Sequence, residues 1–330
     1  MTHAIVTCSE YFTELALNEL HRHHKHLTCI RQISPQHLFI KHSASFGQFT
    51  KPSKNKLPIY LHHAFPVHKN MPLDGSLDDL TRLREQAHDL CQGDFDVQAR
   101  IVGDYPHTML SVAQSIRRDH VLVANDLPQG RVLSLLIDGQ CAYMGISWAT
   151  QNLSPYNGGK MPSDEPVPNR AGLKMIESLA AFGIRLRPGS HALDLGAAPG
   201  AWTEVLRRRG LRVTAVAPQE MYPWLQADPD VSSYYMLAED YLGQCDTVYD
   251  LIVNDMRLDA RDSARLMVAY AQHLRADGIA IMTLKLRMHH RLSLMDHALR
   301  ILRKAYKIIR VRQLVSNRRE VTLYLRRRDF

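Results

Sequence analysis

The 330-residue chain has no long apolar run, and no segment approaches the ~20 residues that a membrane-spanning helix needs. Its start, MTHAIVTCSEYF, lacks a basic region followed by an apolar one, so no secretion signal is expected. Cysteine is sparse: Cys8, Cys29, Cys91, Cys141 and Cys245 are scattered, with no CxxC pair and no even framework. That excludes a disulfide scaffold and a cysteine-held zinc, and implies reduced thiols in a soluble, cytoplasmic protein. Thirteen of the 18 histidines lie before residue 121, among them the run HRHHKH from His21 to His26. No carboxylate or cysteine spacing accompanies them, so no metal site is expected.

Length favours two domains, each able to bury a core. The net charge of +8 is unevenly spread. Residues 1–150 hold 14 Lys+Arg against 14 Asp+Glu, whereas residues 257–330 hold 18 against 6. A basic surplus at one end of the chain implies a polyanionic partner, most simply nucleic acid, although a merely solvated basic face has the same composition.

The segment around which the chain is organised is HALDLGAAPGAWTEVLRRRG, His191 to Gly210. An apolar strand, Ala192 to Leu195, leads through a turn of small residues into a helix with Trp202, Val205 and Leu206 on one face. Gly196 and Gly200 let backbone approach a ligand, and Pro199 stands near the first helical turn, where it sacrifices no hydrogen bond. Tight strand-to-helix turns use the same residues for structure alone, so the turn by itself leaves both readings open. It contains no GxGxxG, and no acidic residue ends the next strand, which argues against a nicotinamide dinucleotide.

Before that segment, Ala4 to Thr7 reads as a strand, with Ser9 capping a helix that carries Phe12, Leu15, Ala16 and Leu20. Lys51 to Pro72 reads as loop and irregular strand, and Ser76 starts a helix ending near Gly93. A strand from Phe95 to Ile101, a helix from Thr108 to Ile116 and a hairpin turning at Asp138-Gly139 complete residues 1–150 as an α+β domain of two helices on a small sheet. The order of FDVQARIVGDYPHT, helix and RVLSLLIDGQCAYMGIS resembles a THUMP domain, a module attached to RNA-modifying enzymes. Its balanced charge leaves a purely structural α+β module as the alternative.

The stretch QNLSPYNGGKMPSDEPVPN, 151–169, reads as a linker. Residues 170–330 alternate helices with the strands Arg212 to Ala217, Tyr249 to Asn254 and Ile279 to Leu284, which implies a parallel sheet covered on both faces. Ile308 to Leu314 and Glu320 to Leu325 are joined so briefly that they must form an antiparallel hairpin. Ligands of such α/β folds sit beyond the carboxyl ends of the parallel strands. Asp255 and Lys285 follow two of those strands, Glu320 starts the antiparallel one, and Lys174 lies on the helix entering the first. Topology thus directs four charged side chains to one cleft.

The motifs DLGAAPGAW, NRAGLKMIE, NDM, TLKLRM and NRREVTLYL, in that order, resemble the FtsJ-like 2′-O-ribose RNA methyltransferases. Within that group the chain is most similar to the RlmM type, which joins a THUMP-bearing half to this catalytic domain. NRAGLK is also similar to TlyA-like enzymes, which methylate ribosomal RNA cytidines. The resemblance implies a Rossmann-like, S-adenosylmethionine-dependent methyltransferase domain and 2′-O-methylation of large-subunit (23S) ribosomal RNA at a cytidine. It assigns the catalytic tetrad to Lys174, Asp255, Lys285 and Glu320, with Lys285 deprotonating or steering the ribose hydroxyl. It places the cofactor over Asp194, Gly196, Ala197, Ala198, Pro199, Gly200, Ala201, Trp202 and Ala217, with Asp240 at the adenine and Asp255 nearby. Arg287, Arg318 and Arg319 are the expected RNA contacts. Two positions depart from the pattern: Ala201 replaces a glycine, and Ala217-Pro218 stands where an acidic residue usually holds the cofactor ribose. Alternatives are the same reaction on small-subunit RNA or tRNA, or an RNA-binding assembly protein with a degenerate cofactor site.

Overall fold

The computed structural model describes residues 1–24, 26–50, 58–117, 128, 130–161, 165–286 and 291–328. The chain divides into two compact units, Met1–Ser163 and Asp164–Phe330.

In the first unit the elements follow as β1 (Thr2–Cys8), α1 (Thr13–His23), β2 (Thr28–Ser34), β3 (His37–His42), α2 (Phe46–Thr50), β4 (Leu61–Val67), β5 (Lys69–Pro72), α3 (Asp78–Leu90), β6 (Asp96–Ile101), α4 (Met109–Ile116), β7 (Arg131–Ile137) and β8 (Cys141–Trp148). They build two four-stranded sheets, β2-β3-β1-β4 and β5-β8-β7-β6, where the sequence suggested one small sheet. The α+β class holds, and all pairings are antiparallel except β6 with β7. The difference lies in β2 to β4. β4, LHHAFPV, is buried along its whole length, so it shows none of the alternation that marks a half-exposed strand. Its Pro66 is tolerated because β4 is the edge of its sheet. Ser9 makes no side-chain cap; a short 3-10 turn, Glu10–Phe12, leads into α1 instead. Thr108 does cap α4, accepting from the Ser111 N–H at 3.1 Å.

Residues 149–159 pack onto this unit. Asn157 Nδ2 donates to the Ala99 carbonyl at 2.9 Å, Gln98 Nε2 to the Pro155 carbonyl at 2.8 Å, and the Ala64 N–H to the Asn152 carbonyl at 3.0 Å.

The second unit contains α5 (Arg170–Phe182), β9 (His191–Leu195), α6 (Ala201–Arg208), β10 (Arg212–Val216), α7 (Pro223–Gln226), β11 (Val231–Tyr234), α8 (Ala238–Leu242), β12 (Tyr249–Asn254), α9 (Ala260–Tyr270), β13 (Leu274–Lys285), α10 (Arg291–Leu302), β14 (Tyr306–Arg312) and β15 (Glu320–Arg327). One seven-stranded sheet runs β11-β10-β9-β12-β13-β15-β14. β9 to β13 are mutually parallel, and β15 lies antiparallel between β13 and β14. This is the Rossmann-like sheet with a terminal hairpin that the strand pattern implied. From β9 the chain order runs outward to β11 on one side, and β12 lies on the other. The crevice beyond β9 and β12 is therefore the switch point where α/β folds bind ligands.

Candidate active site

β9 delivers its chain to the switch point and turns sharply. Gly196 and Gly200 have φ of +74° and +117°, which L side chains rarely adopt. A methyl at Gly196 would stand 2.2 Å from Met256 Cγ, and one at Gly200 would stand 2.3 Å from Leu225 Cδ1, so both positions demand glycine for space as well. The Gly196 and Ala197 amides donate to the Val216 carbonyl at 2.9 and 3.2 Å, fastening the turn to the end of β10. Asp194 closes the other side: its carboxylate, 2% exposed, accepts from Thr203 Oγ1 at 2.7 Å and so joins β9 to the first turn of α6. Burial pushes the Asp194 carboxyl from its ordinary 3.8 up to about 7, against the opposing hydrogen bonds from Thr203.

Lys174, Asp255, Lys285 and Glu320 meet beside this turn. Lys174 Nζ lies 2.8 Å from Asp255 Oδ2 and 2.7 Å from Glu320 Oε1; Lys285 Nζ lies 2.5 Å from both Asp255 Oδ1 and Glu320 Oε2. The result is a closed ring of alternating charge. β13 and β15 pair in a register that sets Lys285 opposite Glu320, while Asp255 follows β12 immediately. Lys174 reaches across from α5. The side chains of Lys174 and Lys285 keep 13% and 21% of their surface, so the ring is largely but not wholly enclosed. Burial alone would lower the pKa of Lys174, but Asp255 and Glu320 outweigh it and leave it raised. Burial likewise works against the Asp255 carboxylate, yet Lys285 and Lys174 bring its pKa below the usual range.

Several residues that the sequence reading did not single out hold the ring in place. Thr283 Oγ1 donates to Asp255 Oδ1 at 2.6 Å and accepts from Lys285 Nζ at 2.7 Å. With Asp255 and Glu320, it provides Lys285 with three acceptors, as many as an ammonium has protons. Asn254 Oδ1 accepts from the Met256 N–H at 2.9 Å, shaping the chain around Asp255. Glu177, one helical turn after Lys174, is buried and accepts from the Val315 and Ser316 amides at 2.8 and 2.7 Å. It thereby pins the β14–β15 loop that leads into Glu320. A signal for Glu177 was present in NRAGLKMIE, where an acidic side chain falls among the apolar positions of α5.

The remaining predicted residues are placed as follows. Trp202 is 3% exposed, and its indole N–H donates to the Ala171 carbonyl at 2.8 Å. It ties α6 to α5 through this bond. Ala197, Ala201 and Ala217 are buried, and the Ala217 N–H donates to the Tyr234 carbonyl. Pro218, Gln219 and Glu220 are exposed. Asp240 stands exposed in the first turn of α8, which follows β11 at the same edge of the sheet. Arg318 and Arg319 are exposed on the loop immediately before Glu320. Arg287 lies outside the described residues. Among the described residues no group of three or more His, Cys, Asp or Glu side chains is arranged to hold a metal ion, and no helix is long and apolar enough to cross a membrane.

A Rossmann-like sheet with a glycine turn and a charged ring at its switch point defines a class, and the comparisons agree with it: residues 167–307 match the FtsJ-like methyltransferase family. Over those residues the chain is similar to that family. Among curated proteins it is similar to ribosomal RNA large subunit methyltransferase M of Halorhodospira halophila, with 34% identity over 203 residues, 61% of this chain and 58% of that protein. The protein of the same name from Colwellia psychrerythraea is 32% identical over 235 residues, 64% of this chain and 62% of its own length. The chain thus spans about three fifths of the curated relatives it matches.

Proposed function

We propose that the chain transfers a methyl group from S-adenosylmethionine to a ribose 2′-hydroxyl of structured RNA, with a cytidine of large-subunit (23S) ribosomal RNA as the target. The observation that carries this is the ring of Lys174, Asp255, Lys285 and Glu320 beside the glycine turn. The large-subunit target rests on the similarity to large subunit methyltransferase M.

The glycine turn at the switch point is compatible with the cofactor. Gly196 and Gly200 hold a backbone that carries no side chain at the switch point, and Asp194 keeps both ends of the turn together. The fit is weaker at the ribose end, where Ala217 presents a methyl group and leaves Gln219 and Glu220 as the nearest polar side chains along the chain. S-adenosylmethionine supplies an electrophilic methyl on a sulfonium sulfur. The chain must hold a ribose hydroxyl in line with that methyl and accept its proton. Lys285 has the better-exposed side chain of the two and directs the hydroxyl oxygen. Lys174 is the second cation bridging Asp255 and Glu320. Because the ring already gives Lys285 three acceptors, the incoming oxygen replaces one of them, and the freed carboxylate oxygen stands ready for the proton. Holding the hydroxyl and methyl in line accounts for much of the acceleration.

The test is to map 2′-O-methylation across ribosomal RNA with and without the protein, alongside purified Lys285→Ala. We expect one large-subunit cytidine to lose its mark without the protein. The variant should lose roughly 10²- to 10⁴-fold in methyl transfer while binding S-adenosylmethionine normally. Base-methylated nucleosides, or full activity in the variant, would refute the assignment.

A further inference from the structure

The first turn of α5 joins two loops. On one side, the Arg170 guanidinium donates to the Ser316 carbonyl at 3.3 Å, on the loop that carries Arg318 and Arg319. On the other side, Asn169 Nδ2 donates to the Tyr222 hydroxyl at 3.2 Å. Arg170 and Lys174 are four residues apart on one helix face, so the contacts from Ser316 to Tyr222 trace a rim that passes the charged ring.

At the Tyr222 end of the rim stands Trp224. Its ring stacks on Tyr222 with centroids 4.4 Å apart and planes 8° apart, and Trp224 nevertheless keeps 52% of its surface exposed. Tyr222 covers one face. The mount is rigid: the Tyr222 N–H donates to the Pro199 carbonyl at 2.8 Å, and the neighbours Met221 and Leu225 are buried beneath Gly200. Glu220, the one carboxylate among residues 218–224, is exposed and no Lys or Arg lies in that stretch, so this end of the rim attracts a polyanion less by charge than by a ring surface.

We infer that Trp224 is a stacking platform for an unpaired base of the substrate RNA, holding the strand at one end of the rim while Arg318 and Arg319 meet phosphates at the other. This rests on the RNA reading above. A base splayed from a loop exposes both faces, and aromatic stacking on one of them is insensitive to its identity, so Trp224 positions the strand rather than choosing the nucleotide.

The test uses the full chain, a fluorescently labelled single-stranded 12-nucleotide RNA and S-adenosylmethionine, with Trp224→Ala and Trp224→Phe. Trp224→Ala should bind the RNA roughly 5- to 150-fold more weakly. Trp224→Phe should recover most of the loss. The dependence of affinity on salt should keep its slope in both, since no phosphate contact is removed. In turnover, KM for RNA should rise in Trp224→Ala with kcat little changed. Calorimetry should find its S-adenosylmethionine affinity unaltered. Equal RNA affinity in Trp224→Ala and the wild type overturns the inference and leaves the RNA reading standing. Weakened cofactor binding with intact RNA binding overturns it in favour of the cofactor's adenine. A wild-type chain that binds no RNA brings down the RNA reading itself, and this inference with it.

Discussion

Asp194 makes the fold sensitive to pH in a direction opposite to that of most carboxylates. Its side chain is fully enclosed, and burial raises its pKa from 3.8 to about 7 in the folded chain. The folded state therefore holds this proton more tightly than the unfolded one. The associated stability is fully present below pH 3.8 and is lost as pH rises through 7. Three pH units at 1.36 kcal/mol each give a total of ~4 kcal/mol, of which about 2–3 kcal/mol falls between pH 5 and pH 8. Asp194→Asn keeps the shape, removes the titration and retains an acceptor for Thr203. The measurement is urea unfolding of both proteins, without cofactor, at half-unit steps from pH 5 to pH 8. Comparing the two cancels the contributions of every ionisable group that both proteins share. The wild type should lose about 2–3 kcal/mol relative to the variant across that range. Parallel curves, or a wild type that gains on the variant as pH rises, would refute the burial argument.

Two further outcomes follow from the packing. Glu177→Ala leaves the Val315 and Ser316 amides without their carboxylate, so it should cost about 2–4 kcal/mol in urea unfolding and lower kcat through a displaced Glu320. Glu177→Gln should restore only part of the stability, because its amide nitrogen would face one of the two N–H groups, and a change below ~0.5 kcal/mol in the alanine variant would show that the loop does not depend on this anchor. Gly196→Ala forces a methyl into the positive-φ turn against Met256, a strain of about 1–3 kcal/mol, and should weaken S-adenosylmethionine binding in calorimetry. Adding Met256→Ala should recover only part of that loss, because the backbone strain remains; full recovery would make the collision the whole effect.

The resemblance to FtsJ-like enzymes and the strands β9, β10, β12 and β13 were legible in the sequence because each carries a short apolar run, whereas the edge strand β11, VSSY, is half polar and was not read. The same logic failed for β4, buried on both faces, and for β2 and β3, where histidines and a bulged register interrupt the alternation. Glu177 was also missed, because its partners are backbone amides that follow it by more than 130 residues, a distance no local pattern reports.

By itself the sequence determined which residue types stand at the strand ends: an acid after β12, a lysine at the end of β13, a glutamate at the start of β15, and glycines in the turn after β9. Periodicity and turn chemistry are local, so they can be read along the chain. Only the tertiary structure decided that Lys174 on α5 reaches Asp255 and Glu320, that Thr283 completes the acceptors around Lys285, and that Trp202 is buried while Trp224 stays open. Each of these depends on register and helix placement across the whole sheet. Charges at 2.5–2.8 Å interact strongly, whereas the same residues held several ångströms apart would be ordinary surface ions.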